Sequence, residues 1–451
     1  MNPTIAAQTV KITPDQVHAT LAKHMLADGF DFVLDIEKSE GPYLYDSRHG
    51  KRLLDFFSFF ATNPLGMNHP GMKTPDFKER ILRAAVHNPS NSDVYTTEMA
   101  EFVETFASHA MPAHLPHVFF VAGGTLGVEN ALKAAFDWKI HKNFARGYRT
   151  ERGTKVLHLE QAFHGRSGYT LSLTNTTDSR KTALFPKFDW PRVLNPKVRF
   201  PLDDANLKDV KEREALSIAQ MTHAFEQNKD DIAAIILEPI QGEGGDNHFR
   251  KEFFQEVRRI ADEHEAMLIF DEVQAGLGLT GKMWSHEHYG IKPDMIAFGK
   301  KTQVCGFMCG SRIDEVKENV FRTSSRLNST WGGTLVDMVR CQRYLEIMAE
   351  ERLLENATVR GAELLAALEA MAKEFPEQVS NARGKGLMCA FDLKDGALRD
   401  AVIQKAYEEG VIAIGCGPNS IRFRPSLTIS KAQLAEGLDK LRVSIKKATG
   451  R

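Results

Sequence analysis

Short apolar runs alternate with longer amphipathic segments between about residues 117 and 300. Each run is bounded by Gly, Pro or acidic residues, which is typical of a strand buried on both faces of a sheet. The segments between the runs carry apolar residues three and four positions apart, which predicts helices. We therefore predict an α/β domain with a mostly parallel sheet flanked by helices. Its strands are predicted in HVFFVAGG, TKVLHLEQ and DIAAIILEP, and at Met267–Phe270 and Met295–Phe298.

The N-terminal part of the chain has a different pattern. Thr13 before Pro14 is typical of a helix start, and this helix is predicted to extend to about Met25. Two apolar segments around Ser47–Gly50 predict a β-hairpin. The stretch after the hairpin is interpreted as core, with the wall of a substrate channel as the alternative. Its aromatic residues are Phe56, Phe57, Phe59 and Phe60.

The C-terminal part begins with a long helical pattern. After TQVCGFMCGS, which predicts one more strand, this pattern extends from about Leu335 to Lys373. A helix of that length is unusual in a globular domain, so we expect a bridge between domains or a kink. Short strands and two further helices, 398–409 and 430–447, follow it. We predict a smaller α+β domain built from both ends of the chain, with limits 1–75 and 334–451, and a large domain at 76–333.

Composition excludes several classes of protein. The chain has 451 residues, a net charge of −1 and 42% hydrophobic residues, which is typical of a globular protein with a large core. This charge gives no reason to expect binding to nucleic acid or to a membrane surface. No apolar run reaches the ~20 residues that span a bilayer, and the first residues lack the pattern of a signal peptide. The five cysteines have no disulfide or metal-site spacing, so we expect a cytoplasmic protein with free thiols and no bound metal.

Two of the predicted strands end in groups that suit one cofactor. One apolar run is followed directly by Asp271, and the next by Gly299-Lys300-Lys301. Because ligands of parallel sheets collect at the carboxyl ends of the strands, the carboxylate and an amine are expected to lie close together. Pyridoxal 5'-phosphate is held by a lysine Schiff base and by an acid on its ring nitrogen, so this pair predicts a site for it. A salt bridge at the rim of the sheet is the alternative interpretation.

A glycine turn joins the predicted strand HVFFVAGG to the helix that follows it. Gly123 and Gly124 let an anion approach the backbone, and Thr125 adds a hydroxyl at the start of the helix, where free N–H groups point outward. The turn therefore predicts a phosphate site, although a plain structural turn has the same composition. It lacks the Gly-Lys-Ser/Thr of a P-loop and the GxGxxG of a nicotinamide-binding fold, which argues against both classes.

The predicted strand TKVLHLEQ leads to Phe163 and Arg166. An aromatic side chain at a strand end can stack on a flat ring, and an arginine there can bind a carboxylate with two hydrogen bonds. A packed phenylalanine and a surface arginine explain the same residues. This stretch alone favours the structural interpretation.

Together, and in their order along the chain, these residues resemble the class III aminotransferases, which are fold type I pyridoxal phosphate enzymes. The resemblance covers nearly the whole chain. Within the family it is most similar to the lysine ε-aminotransferases, through the blocks NPSNSDVYT, FHGRSGYTLSLTNT, FPKFDWPR, EPIQGEGGD, AFGKKTQVCG, RLNSTWGG and IRFRP. The residues that match the family are Gly124-Thr125, Phe163-His164-Gly165-Arg166, Glu238-Pro239, Gly242, Asp271-Glu272-Val273-Gln274, Lys300, Thr330 and Gly332-Gly333.

The resemblance implies a role for each residue of the cofactor site. Lys300 would carry the cofactor, and alternation along the strand would turn Lys301 away from it. Asp271 would keep the ring nitrogen protonated. The remaining contacts would come from Val273 and Phe163 on the two ring faces, from Gln274 on the 3-oxygen, and from Gly124, Thr125 and the Thr330 of a second subunit on the phosphate. A phosphate site shared in this way implies a homodimer.

The implied reaction moves the ε-amino group of L-lysine to 2-oxoglutarate, giving L-glutamate and 2-aminoadipate 6-semialdehyde, which cyclises to piperideine-6-carboxylate. Arg166 would bind the carboxylate far from the reacting atom, and Arg422 would bind the carboxylate next to it. Glu243 would cover Arg422 while lysine is bound and would move away for the keto acid. Asn328 would contact the α-amino or carboxylate group of the substrate.

Several alternatives stay open at this point. Another ω-aminotransferase, acting on ornithine, 4-aminobutyrate or a related amine, would use the same Lys300 and Asp271, as would a mutase or a decarboxylase with this cofactor. A non-catalytic protein that only binds the cofactor would not need Lys300 together with the ring and phosphate ligands. The alternative interpretation of Glu243 is an ordinary solvated carboxylate in a loop.

Overall fold

The computed structural model describes residues 10–450 of the chain. Its strands are β1 (Leu34–Glu40), β2 (Tyr43–Asp46), β3 (Lys51–Asp55), β4 (His117–Val121), β5 (Lys155–Leu159), β6 (Arg192–Val193), β7 (Ile232–Leu237), β8 (Met267–Asp271), β9 (Met295–Phe298), β10 (Cys305–Cys309), β11 (Val379–Lys385), β12 (Met388–Leu393), β13 (Val411–Ile412), β14 (Ile414–Cys416) and β15 (Ser420–Phe423). Its helices are α1 (Val17–Leu21), α2 (Ser58–Ala61), α3 (Pro75–Val86), α4 (Thr97–His109), α5 (Gly124–Ala145), α6 (Gly168–Leu173), α7 (Asp204–Gln227), α8 (Lys251–Glu263), α9 (Leu335–Glu350), α10 (Leu353–Glu374), α11 (Gly396–Glu408) and α12 (Lys431–Thr449). Among these described helices, none has both the length and the apolar character needed to cross a membrane.

A seven-stranded sheet with the order β4-β10-β9-β8-β7-β5-β6 forms the centre of the molecule. The pairs β5–β6, β5–β7, β7–β8 and β8–β9 are parallel. Strand β10 is antiparallel to both of its neighbours, β4 and β9. The predicted mostly parallel sheet is therefore confirmed, and the carboxyl ends of β4, β5, β7, β8 and β9 lie at the same edge.

The central strands are buried on both faces, as their continuous apolar runs predict. In β8, Met267 and Ile269 belong to the same apolar cluster as residues of α5, whereas Leu268 and Phe270 belong to the cluster that contains residues of α7 and α8. Burial of each such side chain stabilises the fold by about 1.5–3 kcal/mol. A one-residue shift would exchange the two faces, so this packing fixes the register of β8 and places its last residue, Asp271, at the carboxyl edge of the sheet.

Two four-stranded sheets, β1-β2-β3-β13 and β11-β12-β15-β14, contain the remaining strands named above. The predicted hairpin is confirmed, since β2 and β3 pair in antiparallel fashion. Strand β13 pairs in parallel with β3, so segments from both ends of the chain share one sheet. A small domain built from both ends requires such a sheet. The limits 1–75, 76–333 and 334–451 stay a prediction, and residues 1–9 lie outside the described residues.

The long helical pattern predicted from about Leu335 to Lys373 is interrupted. Helix α9 ends at Glu350, α10 begins at Leu353, and Arg352 between them has a φ of +54°. An L-residue in that conformation cannot continue a right-handed helix. The predicted kink is therefore confirmed at this position.

The N-terminal helix is shorter than its pattern predicts. A 3-10 turn over Pro14–Gln16 leads into α1, which ends at Leu21 rather than near Met25. No residue of these two segments is buried, so packing does not stabilise a further turn. Helix α7, in contrast, extends over Asp204–Gln227 and begins after an N-terminal cap by the Asp203 side chain, which accepts from the backbone N–H of Asn206.

Candidate active site

A cavity of about 210 Å³ lies at the carboxyl edge of the central sheet. Each wall comes from a segment that follows a strand: the turn after β4, the loops after β5 and β7, and the residues at the ends of β8 and β9. The cavity brings together most of the residues predicted for a cofactor. The lining residues are Gly124, Thr125, Phe163, His164, Gly165, Glu238, Glu243, Asp271, Val273, Gln274 and Lys300.

Lys300 lines the cavity and Lys301 does not. The Lys301 ammonium donates to the carbonyl oxygens of Gln274 at 2.7 Å and Ala61 at 3.4 Å, and the residue is 1% exposed. Alternation along a strand is the wrong reason for this difference, because β9 ends at Phe298 and both lysines lie in a 3-10 turn. The turn begins with Lys300 at a φ of +56°, which separates the directions of the two side chains.

The surroundings of Lys300 favour a neutral amine. Burial and, to a smaller extent, the nearby Arg422 lower its pKa to about 8, against the opposing effect of Asp271 and Glu238. Lys300 and Asp271 form no ion pair with each other in the described part of the chain, so the salt bridge at the sheet rim is excluded as an explanation. A lysine with a lowered pKa beside a cavity has the properties of a nucleophile.

The Asp271 carboxylate is held in place from two sides. Its Oδ1 accepts a hydrogen bond from the backbone N–H of Val273 at 3.1 Å. Its Oδ2 lies 2.8 Å from Nδ1 of the buried His164, which therefore carries the proton on Nδ1 and donates it. The other ring nitrogen, Nε2, is buried and has no hydrogen-bond partner among residues 10–450. The family motif contains His164, but the sequence alone gave no indication that it positions Asp271.

The Gln274 side chain is oriented by a buried arginine. Arg424 donates to Oε1 of Gln274 at 2.9 Å, which leaves the amide N–H groups of Gln274 free for an oxygen of a ligand. Asp246 accepts from Arg424 at 2.8 Å and keeps the guanidinium in position. Sequence reasoning missed this pair. The signal was the spacing of Arg422 and Arg424 in IRFRP, because residues two apart on a strand face the same side.

Glu238 connects the loops after β5 and β7. It accepts hydrogen bonds from the backbone N–H groups of Phe163 at 2.9 Å and Gly242 at 3.0 Å. Burial raises the pKa of this carboxyl to about 7. The two bonds hold the Phe163 side of the cavity against the loop that carries Glu243.

The turn between β4 and α5 has the geometry of an anion site. Gly123 has a φ of +101°, a conformation that favours glycine, and α5 begins directly after it at Gly124. The backbone N–H groups in the first turn of α5 have no carbonyl of the same helix to bond. Gly165 allows a close approach on the other side, since a Cβ there would lie 2.3 Å from Oγ1 of Thr125.

Arg422 and Glu243 form an ion pair beside the cavity. Nη2 of Arg422 donates to Oε2 of Glu243 at 2.9 Å, while Nε and Nη1 of the same guanidinium are buried and have no hydrogen-bond partner within the described part of the chain. The second carboxylate oxygen of Glu243 accepts from Nζ of Lys181. Burial alone would raise the pKa of Glu243, but Arg422 and Lys181 together lower it below its ordinary value. The carboxylate is therefore not an ordinary solvated loop residue.

The Phe-rich stretch after the hairpin belongs only partly to the core. Phe56 and Phe57 are buried, whereas Phe60 is 48% exposed. All four residues of Ser58–Ala61 have positive φ between 44° and 64°, so α2 is a single left-handed turn. The turn places the Phe60 ring 5.8 Å from the guanidinium carbon of Arg422. The core interpretation is wrong for Phe60, which lies beside a candidate substrate residue.

Besides Arg422, which lies beside the cavity, three predicted residues do not line the cavity of their own chain. Arg166 is exposed and has no hydrogen-bond or ion-pair partner among the described residues. Asn328 and Thr330 are exposed in the loop before α9. A polar loop supports them: Ser92 donates to the carbonyl of Ser329 at 2.6 Å, and the side chain of Asn91 to that of Gly333 at 3.0 Å. The predicted roles of these three residues stay predictions.

These residues fit pyridoxal phosphate. The cavity contains an amine that has a lowered pKa and no hydrogen-bond partner among the described residues, and a carboxylate held by a buried histidine. The glutamine amide beside it already has its oxygen occupied, and a helix start lies at one end. Lys300 would hold the carbonyl carbon of the cofactor, Asp271 its ring nitrogen and Gln274 its 3-oxygen. The first turn of α5 would hold its phosphate.

Comparisons with known proteins agree with this site. Residues 25–445 match the family Aminotransferase class-III. The L-lysine-epsilon aminotransferase of Mycobacterium tuberculosis is 52% identical over 434 residues, which cover 96% of each chain. The L-lysine-epsilon aminotransferase of Amycolatopsis lactamdurans is 51% identical over 444 residues, covering 97% of this chain and 98% of that protein.

Solved structures give the same result for the fold. The lysine aminotransferase of M. tuberculosis in its internal aldimine form superposes with a TM-score of 0.95 at 51% identity. The superposition covers 97% of this chain and all of the other. The fold is thus that of the fold type I pyridoxal phosphate enzymes. With its family match over most of its length, the chain belongs to the class III aminotransferases and is a pyridoxal-phosphate-dependent transaminase.

Proposed function

We propose that this aminotransferase moves the ε-amino group of L-lysine to 2-oxoglutarate. The observation that carries the proposal is the ion pair of Glu243 and Arg422 beside the cavity that contains Lys300. Two relatives, from Mycobacterium tuberculosis and Amycolatopsis lactamdurans, support the choice of donor. Both are named L-lysine-epsilon aminotransferase, and they are 52% and 51% identical to this chain over nearly their full length.

The two substrates place their charges differently. In lysine the carboxylate lies far from the ε-amine, whereas 2-oxoglutarate has a carboxylate directly next to its reacting carbon. Arg422, whose Nε and Nη1 have no partner, is suited to that nearby carboxylate. When lysine binds, an uncovered Arg422 would repel the amine, and the Glu243 carboxylate removes this repulsion. The exposed and unpaired Arg166 is suited to the distal carboxylate of either substrate.

The residues of the chain act around the cofactor. When bound, pyridoxal phosphate would supply an aldehyde carbon that accepts the amino group and a ring that takes up the negative charge developing on the reacting carbon. Nζ of Lys300, with a pKa lowered to about 8, takes the proton from the substrate carbon next to the amine. Asp271, held by His164, would keep a proton on the ring nitrogen. Val273 and Phe163, which line the cavity, would pack on the two faces of the ring.

We also propose that the enzyme is a homodimer in which the loop with Asn328 and Thr330 reaches the site of the other subunit. Exposed apolar side chains support this proposal, since Tyr95 is 77% exposed, Trp331 50% and Leu126 43%. Exposed aromatic and aliphatic side chains of this kind mark contact surfaces between subunits. The cytoplasmic location predicted from the sequence stays a prediction.

Donor tests check the activity. Purified enzyme with 2-oxoglutarate should consume L-lysine and form L-glutamate together with the cyclic imine of 2-aminoadipate 6-semialdehyde, identified by mass. Ornithine and 4-aminobutyrate serve as competing donors under the same conditions. Formation of the α-keto product of lysine, or faster turnover of one of the other donors, would replace the proposal with a different ω-aminotransferase activity.

A further inference from the structure

Glu243 lies in the wall between two cavities. The inner one is the 210 Å³ cavity that contains Lys300. The outer one has a volume of about 490 Å³, is more open, and is formed by the loop around 177–181 and by the segment 415–418. Glu243 lines both of them. A carboxylate that moves off Arg422 therefore has room on the outer side.

The two oxygens of the Glu243 carboxylate bind cations on opposite sides. Oε2 accepts from Arg422, whose side chain is 3% exposed, and Oε1 accepts from Lys181, whose side chain is 21% exposed. The more buried cation thus lies beside the inner cavity near Lys300, and the more exposed one lines the outer cavity. Rotation of the Glu243 side chain can break the first bond while the second is kept.

We propose that Lys181 is the positioning residue that retains the Glu243 carboxylate in the outer cavity while the keto acid occupies Arg422. This inference rests on the proposed function, because it assigns a partner to the displaced form of Glu243. A carboxylate released from a buried ion pair needs a new cation, or the release becomes unfavourable. Lys181 supplies that cation, and its bond to Glu243 already exists before the keto acid binds.

Neighbouring groups hold Lys181 in this position. It is the last residue of the 3-10 turn Ser179–Lys181, which Asp178 caps by accepting from the backbone N–H of Arg180 at 3.3 Å. The Asp178 carboxylate also lies 3.9 Å from Nζ of Lys181. The other cations of the outer cavity have different partners. The 88% exposed side chain of Arg180 pairs with Asp178, and Arg399 pairs with Asp400.

Keto-acid binding and amine binding should respond differently to Lys181. In the lysine half-reaction Glu243 stays on Arg422, so loss of Lys181 leaves the covered state intact. In the 2-oxoglutarate half-reaction Glu243 must leave Arg422, so loss of Lys181 removes the partner of the displaced carboxylate. Lys181 thereby determines how readily the enzyme changes from the amine to the keto acid.

The test compares three variants of the holoenzyme. Lys181→Met should weaken binding of glutarate, an unreactive dicarboxylate, by about tenfold or more, as expected for loss of a hydrogen bond between charged groups. The apparent affinity for 2-oxoglutarate should fall by the same factor in single-turnover experiments, with the lysine half-reaction changed less than about threefold. Lys181→Arg keeps the charge and should restore both values. Arg180→Met removes a cation of the same cavity that does not contact Glu243, and it should behave as the unmodified enzyme.

Several results would overturn the inference. These are unchanged glutarate binding in Lys181→Met, equal losses in both half-reactions, no rescue by Lys181→Arg, or a loss in Arg180→Met as large as in Lys181→Met. A failure of the proposed lysine activity can be distinguished from a failure of this inference, because the glutarate measurement does not depend on which amine is the donor. An enzyme that rejects lysine but binds glutarate through Lys181 would refute the donor and keep the inference.

Discussion

Lys300 and Lys301 are neighbours in the chain, yet their ammonium groups have different surroundings. Lys301 is bonded to two backbone carbonyls, whereas Nζ of Lys300 has no hydrogen-bond partner among the described residues. Burial lowers the pKa of both lysines, that of Lys300 to about 8. Only Lys300 combines the lowered pKa with access to the cavity. Access to the cavity, and not the pKa, therefore identifies Lys300 rather than Lys301 as the residue that binds the cofactor.

Chemical trapping checks this choice. Borohydride reduction of the enzyme loaded with pyridoxal phosphate should attach the pyridoxyl group to Lys300, as identified by peptide mass spectrometry. Lys300→Ala should lose the label and all transamination, while Lys301→Met should keep the label on Lys300. In cofactor-free protein, cofactor uptake should become faster as the pH rises through about 8, because the neutral fraction of the amine increases there. Label on Lys301, or uptake that keeps accelerating up to 10.5, the ordinary pKa of a lysine, would contradict the assignment.

At the scale of elements, the loop after β7 and the turn after β8 meet at Gly242. A methyl group on Gly242 would lie 2.3 Å from Oε1 and 2.6 Å from Cδ of Gln274. The glycine therefore makes room for the Gln274 side chain beside the cavity. A larger residue at this position of the family motif would collide with Gln274, which lies in the turn after β8.

Gly242→Ala should displace Gln274 and weaken retention of the cofactor by about tenfold, the effect of losing one hydrogen bond to a charged oxygen. The fold should be kept, as judged by circular dichroism, because the displaced group is a single side chain. Gly168→Ala is the matched control, since a methyl group at Gly168 would meet no atom within 4 Å. Equilibrium dialysis of pyridoxal phosphate measures both variants, and equal affinities would show that Gln274 tolerates the methyl group.

The elements that the sequence predicted well are those buried on both faces. The apolar runs of β7 and β8 are continuous because helices cover both sides, so their positions, and the place of Asp271 at the end of β8, follow from local pattern. The contact of Arg424 with Gln274 joins segments 150 residues apart, and no local pattern encodes it. Helix α1 was predicted less well. Its start follows from the local sequence, but its length depends on packing, and none of its residues is buried.

At the scale of the whole molecule, one chain does not complete the predicted site. Thr330 and Asn328 are exposed, and the cavity with Lys300 lacks both of them. The loop that carries them is nevertheless ordered by contacts with residues 90–92. An ordered, exposed polar loop beside exposed aromatic residues is consistent with a contact to a second subunit.

Thr330→Ala tests this contribution. Sedimentation should give a dimer for the unmodified enzyme and for the variant, since only a hydroxyl is removed. The variant should retain pyridoxal phosphate more weakly by ~1.5–3 kcal/mol, the usual contribution of a hydrogen bond to a charged group. Thr323→Ala serves as the control, because its hydroxyl donates to the carbonyl of Glu318 within the same loop region. A monomeric enzyme, or equal cofactor affinity in both variants, would remove Thr330 from the site.

Strand β15 and the residue after it constrain how such an enzyme can change over evolution. Arg422 serves the substrate side through Glu243, and Arg424 serves the cofactor side through Gln274. An insertion or deletion of one residue in the turn before β15 would turn both arginines to the opposite face at once. The loop around Lys181 is largely exposed and, among residues 10–450, forms no hydrogen bond or ion pair with Asp271 or Lys300, so its length and sequence can vary independently. Substitutions in that loop can therefore change the preference for keto acids without loss of cofactor binding. A change in the register of β15 would instead impair substrate binding and cofactor binding together.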